Sequence, residues 1–314
     1  MRIIFMGTPQ PAADVLQELL KTKHEISLVV TRPDRPKGRG QKLSFSPVKE
    51  IALENNLPLE QPENIRDGEM VRLIDGKRPD VIVVVAYGKI LPKEILEIPR
   101  FGCLNLHASL LPKYRGAAPI QWALLNGEKT TGITVMKIDE TLDTGDILLQ
   151  ERIGITDDDN SITLSKKLFK TGAVMLVEVL EQIEKGRASY TKQDDAEKSY
   201  APLLTKKSGE IDWRKSAEEI YNRIRALVSW PVANTYFKQK QLRIFQSTVD
   251  GRRAAAKKAL PGEVIEIIKN QGFVVATGRG GLVVQEVQAE GKKRMAAHNF
   301  VLGHDVKPGL VLPN

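Results

Sequence analysis

The sequence predicts an α/β protein of two domains, in which a mostly parallel sheet with flanking helices precedes a smaller β-barrel. Three observations predict this fold class. Strand-like and helix-like segments alternate through residues 1–185, a polar stretch without periodicity follows, and short strands dominate the last third. Alternating strands and helices form right-handed crossovers, which produce a parallel sheet covered on both faces. At 314 residues the chain is long enough for two hydrophobic cores.

The elements of the first domain follow from apolar runs and from helical spacing. The predicted strands are 2–7, 25–31, 81–86, 102–109 and 132–138, and the predicted helices are 11–22, 118–127 and 162–186. The run VIVVVA at 81–86 is apolar throughout, which is typical of a strand buried on both faces. The last helix ends with Lys185 and Gly186, the residue types that commonly close a helix.

The second domain begins after a polar segment that reads as a linker, between Ala188 and Lys207. One helix follows at 216–229, and it opens with Ser216 and Glu219 in the spacing of a capping box. The remaining apolar runs are short and separated by turn residues. They predict strands at 233–238, 240–247, 262–269, 272–278 and 281–288. Several short strands after one helix indicate a small β-barrel.

The positive charge of the chain lies in its last third. Residues 206–314 contain 19 basic and 10 acidic side chains, whereas residues 1–205 contain 28 and 29. A basic domain beside a neutral one indicates a polyanionic partner, although a basic surface kept for solubility has the same composition. The apolar runs are too short to cross a bilayer, and the N-terminus lacks the pattern of a signal peptide. A single cysteine, Cys103, excludes an internal disulfide, so we expect a cytoplasmic protein.

The predicted strand 102–109 carries an amide and an imidazole on the same face. Side chains alternate along a strand, so Asn105 and His107 share a face with Cys103. Ligands of open parallel sheets bind beyond the carboxyl ends of the strands, where these two residues are expected. An amide can donate a hydrogen bond to a developing oxyanion, and an imidazole can move protons near neutral pH. Alternatively, the pair is only a satisfied polar strand end.

The acidic segment 139–148 makes a catalytic interpretation stronger. It packs four acids after the strand 132–138, at what is expected to be the same edge of the sheet, and one of them can orient His107. The triplet Asp143-Thr144-Gly145 also matches the signature of aspartic proteases, but a second copy of the triplet is absent. The spacing does not favour a metal site, so we expect no metal. A Cys103 nucleophile and a Ser109 hydrolase remain weaker alternatives.

The segment 104–148 and two further stretches resemble those of a known family. The segment LNLHASLLPKYRGAAPIQWALLNGEKTTGITVMKIDETLDTGDIL at 104–148 resembles the signature region of the folate-dependent formyltransferases. RIIFMGTP at the start of the chain and the long insertion TRPDRPKGRGQKLSFSPVK at 31–49 are similar to those of members that act on methionyl-tRNA. The resemblance covers essentially the whole chain.

The resemblance implies a fold, a reaction and a set of site residues. The implied domains are a Rossmann-like catalytic domain at 1–188, a linker at 189–206 and an OB-like tRNA-binding domain at 207–314. The implied reaction transfers a formyl group from 10-formyltetrahydrofolate to the α-amino group of methionyl initiator tRNA, for translation initiation. The implied catalytic residues are Asn105, His107 and Asp143. The implied folate-binding residues are Ser109, Leu110, Leu111 and Pro112 in one segment, and Tyr87, Gly88, Lys89, Ile90 and Leu91 in another.

The resemblance also implies where the tRNA is held. The basic residues of the inserted loop are Arg32, Arg35, Lys37, Arg39 and Lys42, of which Arg39 is implied to read the end of the acceptor stem. Those of the last third are Arg252, Arg253, Lys257, Lys258, Lys292, Lys293 and Arg294. Phosphate contacts of this kind are strongly salt-dependent. We expect a monomer, because a partner held across two domains requires no second copy.

Two other functions are alternatives for this sequence. A formyltransferase of the same N-terminal type can act on a small amine, such as a sugar nucleotide or glycinamide ribonucleotide. That function leaves the basic last third and the basic insertion unexplained. A non-catalytic RNA-binding protein leaves the combination of Asn105, His107 and Asp143 unexplained.

Overall fold

The computed structural model describes residues 1–37, 42–250 and 259–313, which form two compact units. The first unit comprises Met1–Pro119, Thr130–Gly154 and Ser165–Pro202. The second comprises Ile120–Lys129, Ile155–Leu164 and Leu203–Asn314. Two short segments from earlier in the chain therefore pack with the last third.

The elements up to residue 184 alternate between strands and helices, as the sequence predicts. The strands are β1 (Arg2–Gly7), β2 (Glu25–Val30), β3 (Arg35–Lys37), β4 (Lys42–Ser44), β5 (Leu59–Glu60), β6 (Val81–Val85), β7 (Cys103–His107), β8 (Thr130–Lys137) and β9 (Ile147–Gly154). The helices are α1 (Gln10–Leu20), α2 (Pro47–Glu54), α3 (Gly68–Gly76), α4 (Lys93–Leu96), α5 (Pro119–Leu125) and α6 (Ser161–Glu184). All five strands predicted in this part of the chain are present, and β3, β4, β5 and β9 were not predicted.

Seven of these strands form one sheet in the order β5-β2-β1-β6-β7-β8-β9. The pairs from β5 to β7 are parallel, whereas β7–β8 and β8–β9 are antiparallel. The prediction of a mostly parallel sheet is confirmed, with antiparallel strands at one edge. Every residue of β6 is buried, as expected for a central strand covered on both faces.

One face of this sheet packs against the short helices that follow β5. Ile4 of β1, Ile82 of β6 and Cys103 of β7 share an apolar cluster with Ile74 of α3 and Ile95 of α4. Cys103, Asn105 and His107 occupy every second position along β7, so their side chains share a face. The polar pair therefore points to the same face as this cluster, at the end of the strand.

The inserted segment after β2 contains a hairpin of two short strands, which the sequence does not indicate. Strands β3 and β4 pair antiparallel, with Arg35 opposite Ser44. At the base of the hairpin, the Lys49 ammonium contacts Asp34 at 2.5 Å and Gln61 at 2.8 Å. Gln61 in turn donates to the carbonyl oxygen of Arg32 at 2.8 Å. These bonds anchor the chain directly before the hairpin.

The second unit contains a separate antiparallel sheet, which confirms the predicted C-terminal β domain. Its elements are α7 (Ala217–Ala226), β10 (Asn234–Phe237), β11 (Lys240–Asp250), β12 (Val264–Ile268), β13 (Gly272–Ala276), β14 (Gly281–Ala289), β15 (Met295–Ala296) and α8 (Ala297–Gly303). The strand order is β10-β11-β14-β13-β12, and β15 pairs with β14. Ser216 and Glu219 cap α7 reciprocally, as their spacing predicts. Trp213, Phe273 and Phe300 lie in its apolar core.

None of the helices within the described residues is long and apolar enough to cross a membrane.

Candidate functional site

Asn105 and His107 are held at the carboxyl end of β7, between a parallel and an antiparallel neighbour. Asn105 lies opposite Val84 of β6 and Met136 of β8, and His107 lies opposite Thr134. The imidazole is 6% exposed, and Asn105 is half-buried. Within the described residues, the Asn105 amide has no hydrogen-bond partner. Its N–H groups are therefore available to a ligand.

The two ring nitrogens of His107 face different partners. Nε2 lies 3.0 Å from the carbonyl oxygen of Tyr114. Because a carbonyl oxygen only accepts, Nε2 carries a proton in this contact. Nδ1 lies 3.7 Å from Oδ2 of Asp143, which is 13% exposed. This distance is too long for a hydrogen bond but suits an ion pair when the imidazole is protonated.

Asp143 reaches the imidazole by a route that differs from the predicted one. The sequence indicates that the acidic segment leaves β8 at the same sheet edge as His107. Strand β8 is antiparallel, however, so its last residue, Lys137, pairs with Leu104 near the start of β7. The segment 138–146 therefore folds back toward the end of β7. There the Asp143 carboxylate accepts a hydrogen bond from the Gly116 N–H at 2.7 Å.

Asp139 and Glu140, two of the three other acids of this segment, have different partners. Asp139 accepts hydrogen bonds from the hydroxyls of Thr141 and Thr144, at 3.1 and 2.7 Å, and thus organises the turn. Glu140 forms an exposed ion pair with Lys93 at 3.1 Å. Asp143 is consequently the acid of this turn that faces His107. Among the described residues, no group of three metal-ligating side chains is arranged to hold a metal ion.

Neither alternative nucleophile has the surroundings that activation requires. Burial raises the pKa of the Cys103 thiol to about 12, so the thiolate is scarce at neutral pH. The Ser109 hydroxyl is buried and donates to the carbonyl oxygen of Lys113 at 2.6 Å, which closes a turn. Among the residues that the structure describes, no general base contacts either group.

The first segment implied to bind folate forms a braced turn directly after β7. Thr134 of β8 donates to the carbonyl oxygen of Ser109 at 2.6 Å and accepts from the N–H of Leu111 at 3.3 Å. Leu111 is buried, whereas Leu110 and Pro112 are half-buried. Leu110 and Pro112 are thus the members of this segment with exposed surface to offer a ligand.

The second segment, residues 87–91, follows β6 and therefore leaves the sheet beside the end of β7. Arg32 donates to the carbonyl oxygen of Tyr87 at 3.0 Å and also to that of Gly88. Lys89 donates to the carbonyl oxygens of Pro62 and Glu63, at 3.0 and 2.5 Å. Within the described part of the chain, the backbone N–H groups of residues 88–91 donate no hydrogen bond. The segment is thus fixed in shape while several of its donors stay free.

Tyr87 is the buried member of this segment. Its side chain is 1% exposed, and its hydroxyl has no hydrogen-bond partner among the described residues. Burial raises the pKa of Tyr87 to about 12. Ile90, in contrast, is 69% exposed. The segment therefore presents backbone groups and Ile90, and not the Tyr87 ring, at its surface.

The basic residues predicted to hold tRNA have varied surroundings. Arg32 is engaged with the carbonyls of Tyr87 and Gly88, and Arg35 forms an exposed ion pair with Glu63 at 3.1 Å. Lys37 and Lys42 lie in β3 and β4, but their side chains are not among the parts described. Arg39, Arg252, Arg253, Lys257 and Lys258 lie outside the described residues.

The basic cluster that follows β14 is exposed. Lys292 and Lys293 lie in the turn between β14 and β15. Arg294 pairs with Glu286, and its guanidinium lies 4.2 Å from the centre of the Phe245 ring. Lys292 and Lys293 thus present their charge to solvent, whereas Arg294 is partly neutralised.

Two polar residues near the site, Arg115 and Gln193, were not predicted from the sequence to belong to it. Arg115 is 2% exposed, and its guanidinium donates to Gln193 at 2.8 and 3.0 Å. Gln193 in turn contacts the backbone of the segment that carries Asp143. The triplet Tyr114-Arg115-Gly116 lies within the stretch that resembles the family and is a visible signal for Arg115, whereas the aperiodic surroundings of Gln193 give none.

Comparison with known proteins finds relatives over the full length of the chain. A family model described as formyl transferase matches residues 1–180, and one described as formyl transferase, C-terminal domain, matches residues 203–305. A protein named methionyl-tRNA formyltransferase from Alkaliphilus oremlandii is 45% identical over 312 residues, which cover 99% of each chain. The protein of the same name from Thermodesulfovibrio yellowstonii is 48% identical over 308 residues, covering 98% of this chain and 97% of that relative.

Solved structures share the fold at lower identity. HypX from Aquifex aeolicus in complex with tetrahydrofolic acid has a TM-score of 0.67 and 18% identity, over 96% of this chain and 47% of HypX. The sugar 3N-formyl transferase WlaRD has a TM-score of 0.67 and 22% identity, over 93% of this chain and 99% of WlaRD. From the two family matches and the full-length relatives, we conclude that the chain belongs to the formyl transferase family.

Proposed function

We propose that the chain transfers a formyl group from 10-formyltetrahydrofolate to the α-amino group of methionyl initiator tRNA, for translation initiation. The observation that carries the proposal is the approach of Asp143 to His107 beside an Asn105 amide that has no partner among the described residues. Relatives that are named methionyl-tRNA formyltransferase and that align over the full length support it.

The proposed roles follow from what each side chain can donate or accept. The amine nitrogen of the methionyl group forms a bond to the formyl carbon, the bond from that carbon to N10 breaks, and a proton passes from the amine to N10. Negative charge builds on the formyl oxygen during this exchange. Asn105 donates a side-chain N–H to that oxygen, which is the largest single contribution expected in acyl transfer. Protonated His107, paired with Asp143, adds a positive charge beside it.

Asp143 has a second proposed role in the movement of the proton. A carboxylate that is bridged to the amine by one water molecule can accept the amine proton and pass it to N10. The Gly116 N–H occupies one lone pair of Oδ2. The remaining lone pairs of the carboxylate are therefore the ones proposed to accept the amine proton.

The fit to a folate is supported by the backbone at residues 87–91. A flat heterocycle with alternating donors and acceptors pairs well with free N–H groups, and this segment offers several. Arg32 and Lys89 hold the segment in one shape, so little ordering accompanies binding. The half-buried Leu110 and Pro112 are proposed to form an apolar wall, and Ser109 and Leu111 to support it from behind.

The tRNA contacts are proposed from charge. Lys292 and Lys293 are exposed cations in the part of the chain that carries the positive excess. Arg35, with Lys37, Arg39 and Lys42, is proposed to meet the acceptor stem, while Arg32 acts through the segment that it binds. The division into domains at 1–188, 189–206 and 207–314, a monomeric state and a cytoplasmic location belong to the same proposal.

The test is a transfer assay with purified protein, radiolabelled 10-formyltetrahydrofolate and methionyl initiator tRNA. We expect formylated tRNA, and no product with free methionine as the control acceptor. A third arm contains an amino sugar nucleotide. If that amine is formylated with a kcat/KM equal to or above that of the tRNA, the proposed acceptor is wrong.

A further inference from the structure

The position of Asp143 depends on contacts beyond its own turn. Asp143 has a φ of 53°, in the left-handed region that favours glycine, and its neighbour Leu142 is 58% exposed. A turn of this kind does not hold a carboxylate in one place unless its backbone is anchored. Gln193 supplies such an anchor, because its Nε2 donates to the carbonyl oxygens of Asp143 and Gly145 at 2.9 and 2.8 Å.

The orientation of the Gln193 amide is imposed by Arg115. The Nε and Nη2 groups of Arg115 donate to Oε1 of Gln193 at 3.0 and 2.8 Å. A guanidinium only donates, so the oxygen of the amide has to face Arg115 and its NH2 group has to face the two carbonyls. Nη2 also donates to Asp195 at 2.8 Å, and this bond lowers the pKa of the Asp195 carboxyl. The amide thus has no alternative orientation that satisfies its partners.

Arg115 is itself anchored through its backbone. Its N–H donates to the carbonyl oxygen of Ser199 at 2.9 Å, and its carbonyl oxygen accepts from Ala201 at 2.8 Å. The next residue, Gly116, donates its N–H to the Asp143 carboxylate. The same short turn therefore supplies a bond to the carboxylate and the support for the amide that fixes its backbone.

We propose that Gln193 is a positioning residue for formyl transfer, since it anchors the backbone of Asp143 and Gly145 so that the carboxylate faces Nδ1 of His107. This inference rests on the proposed function, because the position of Asp143 affects turnover only if Asp143 takes part in the reaction. Gln193 does not touch the substrates in this proposal and acts through Asp143.

The first test is Gln193→Met, which keeps the side-chain length and removes every hydrogen bond of the amide. We expect kcat to fall about tenfold to a hundredfold, the size of effect that a small misplacement produces. The KM values for both substrates are expected to change less than about twofold, since binding groups are untouched. The matched control is Gln182→Met on α6, where the amide donates to the exposed Glu178. It is expected to retain the parent kcat.

A double-mutant cycle with Asp143→Asn separates positioning from a general structural effect. If Gln193 acts through Asp143, Gln193→Met reduces kcat in the Asp143→Asn background by less than about threefold. Equal loss in both backgrounds, or an unchanged kcat in the single variant, overturns the proposal. If Gln193→Met does not fold, Gln193→Glu takes its place in the cycle. It keeps the contact with Arg115 but replaces the donating NH2 group by an oxygen.

A measurement without substrates separates this proposal from the proposed function. Proton–nitrogen correlation spectra of the full chain report the backbone amides of residues 143–146. We expect these signals to move in Gln193→Met and to stay in place in Gln182→Met. A parent protein without transferase activity refutes the proposed function and with it the role in turnover, whereas unmoved signals refute the anchoring by Gln193 itself.

Discussion

The carboxyl end of β7 and the turn between β14 and β15 both carry polar residues that we assign to ligands, but they are built in opposite ways. At the end of β7, His107 is 6% exposed and both of its ring nitrogens face fixed partners. In the turn after β14, Lys292 and Lys293 are exposed. Charge that stabilises a reacting atom has to be in place before the reaction, whereas charge that attracts phosphates acts over several ångströms.

Changes at the end of β7 are therefore expected to affect chemistry, and changes in the turn after β14 are expected to affect affinity. A buried group with fixed partners has no substitute when it is removed. An exposed lysine contributes one of several additive electrostatic contacts.

The largest effect is expected at the end of β7. Asn105→Ala and His107→Ala are each expected to lower kcat about 10²–10³-fold, because each removes a group that meets the charge on the formyl oxygen. The assay is formyl transfer at saturating substrates, with thermal unfolding as a check on the fold. His298→Ala in the second unit is the matched control. Full activity in folded Asn105→Ala or His107→Ala protein would refute their assignment.

A smaller effect, in affinity alone, is expected in the second unit. The double variant Lys292→Gln/Lys293→Gln is expected to lower the slope of log K against log salt for tRNA by about 1–2, since each phosphate contact contributes about 0.9. At saturating tRNA its kcat is expected to stay at the parent value. Lys21→Gln is the control, because that ammonium is already paired with Glu18 at 2.6 Å. A lower kcat with unchanged affinity would break the division between the two regions.

The smallest effect is expected at Cys103, although this residue lies on the same strand and face as His107. Its thiol is buried and has a pKa of about 12, so it supplies no nucleophile near neutral pH. Cys103→Ala is expected to keep kcat within about twofold and to lose roughly 1 kcal/mol of unfolding free energy through the small cavity. Steady-state kinetics and chemical denaturation measure the two quantities. A large loss of kcat in folded protein would restore the nucleophile hypothesis.

Local patterns were sufficient to predict most of the strands and the face that carries Asn105 and His107. The apolar run of β6, the alternation along β7 and the capping box at Ser216 are all properties of adjacent residues. Patterns of this kind report local geometry directly. The choice of Asp143 among four acids needed the resemblance to a family, since composition does not distinguish it from Asp139.

The remaining features depend on contacts between distant residues. The direction of β8 is set by its pairing with β7 and β9, and nothing in GITVMKI distinguishes a parallel from an antiparallel strand. The polar stretch after Ala188 has no period, yet Thr191, Ser199 and Ala201 form backbone hydrogen bonds within the first unit. Backbone bonds of this kind require no particular side chains, so the sequence leaves no mark of them.

The burial of the single thiol has a practical consequence for experiments on this chain. Cys103 is 1% exposed, so alkylating reagents that need a thiolate meet almost none in the folded protein. A cysteine introduced on the surface, for instance at position 293, can therefore carry a fluorophore without prior removal of the native one. Distances between labelled positions can then be followed in an otherwise unmodified protein.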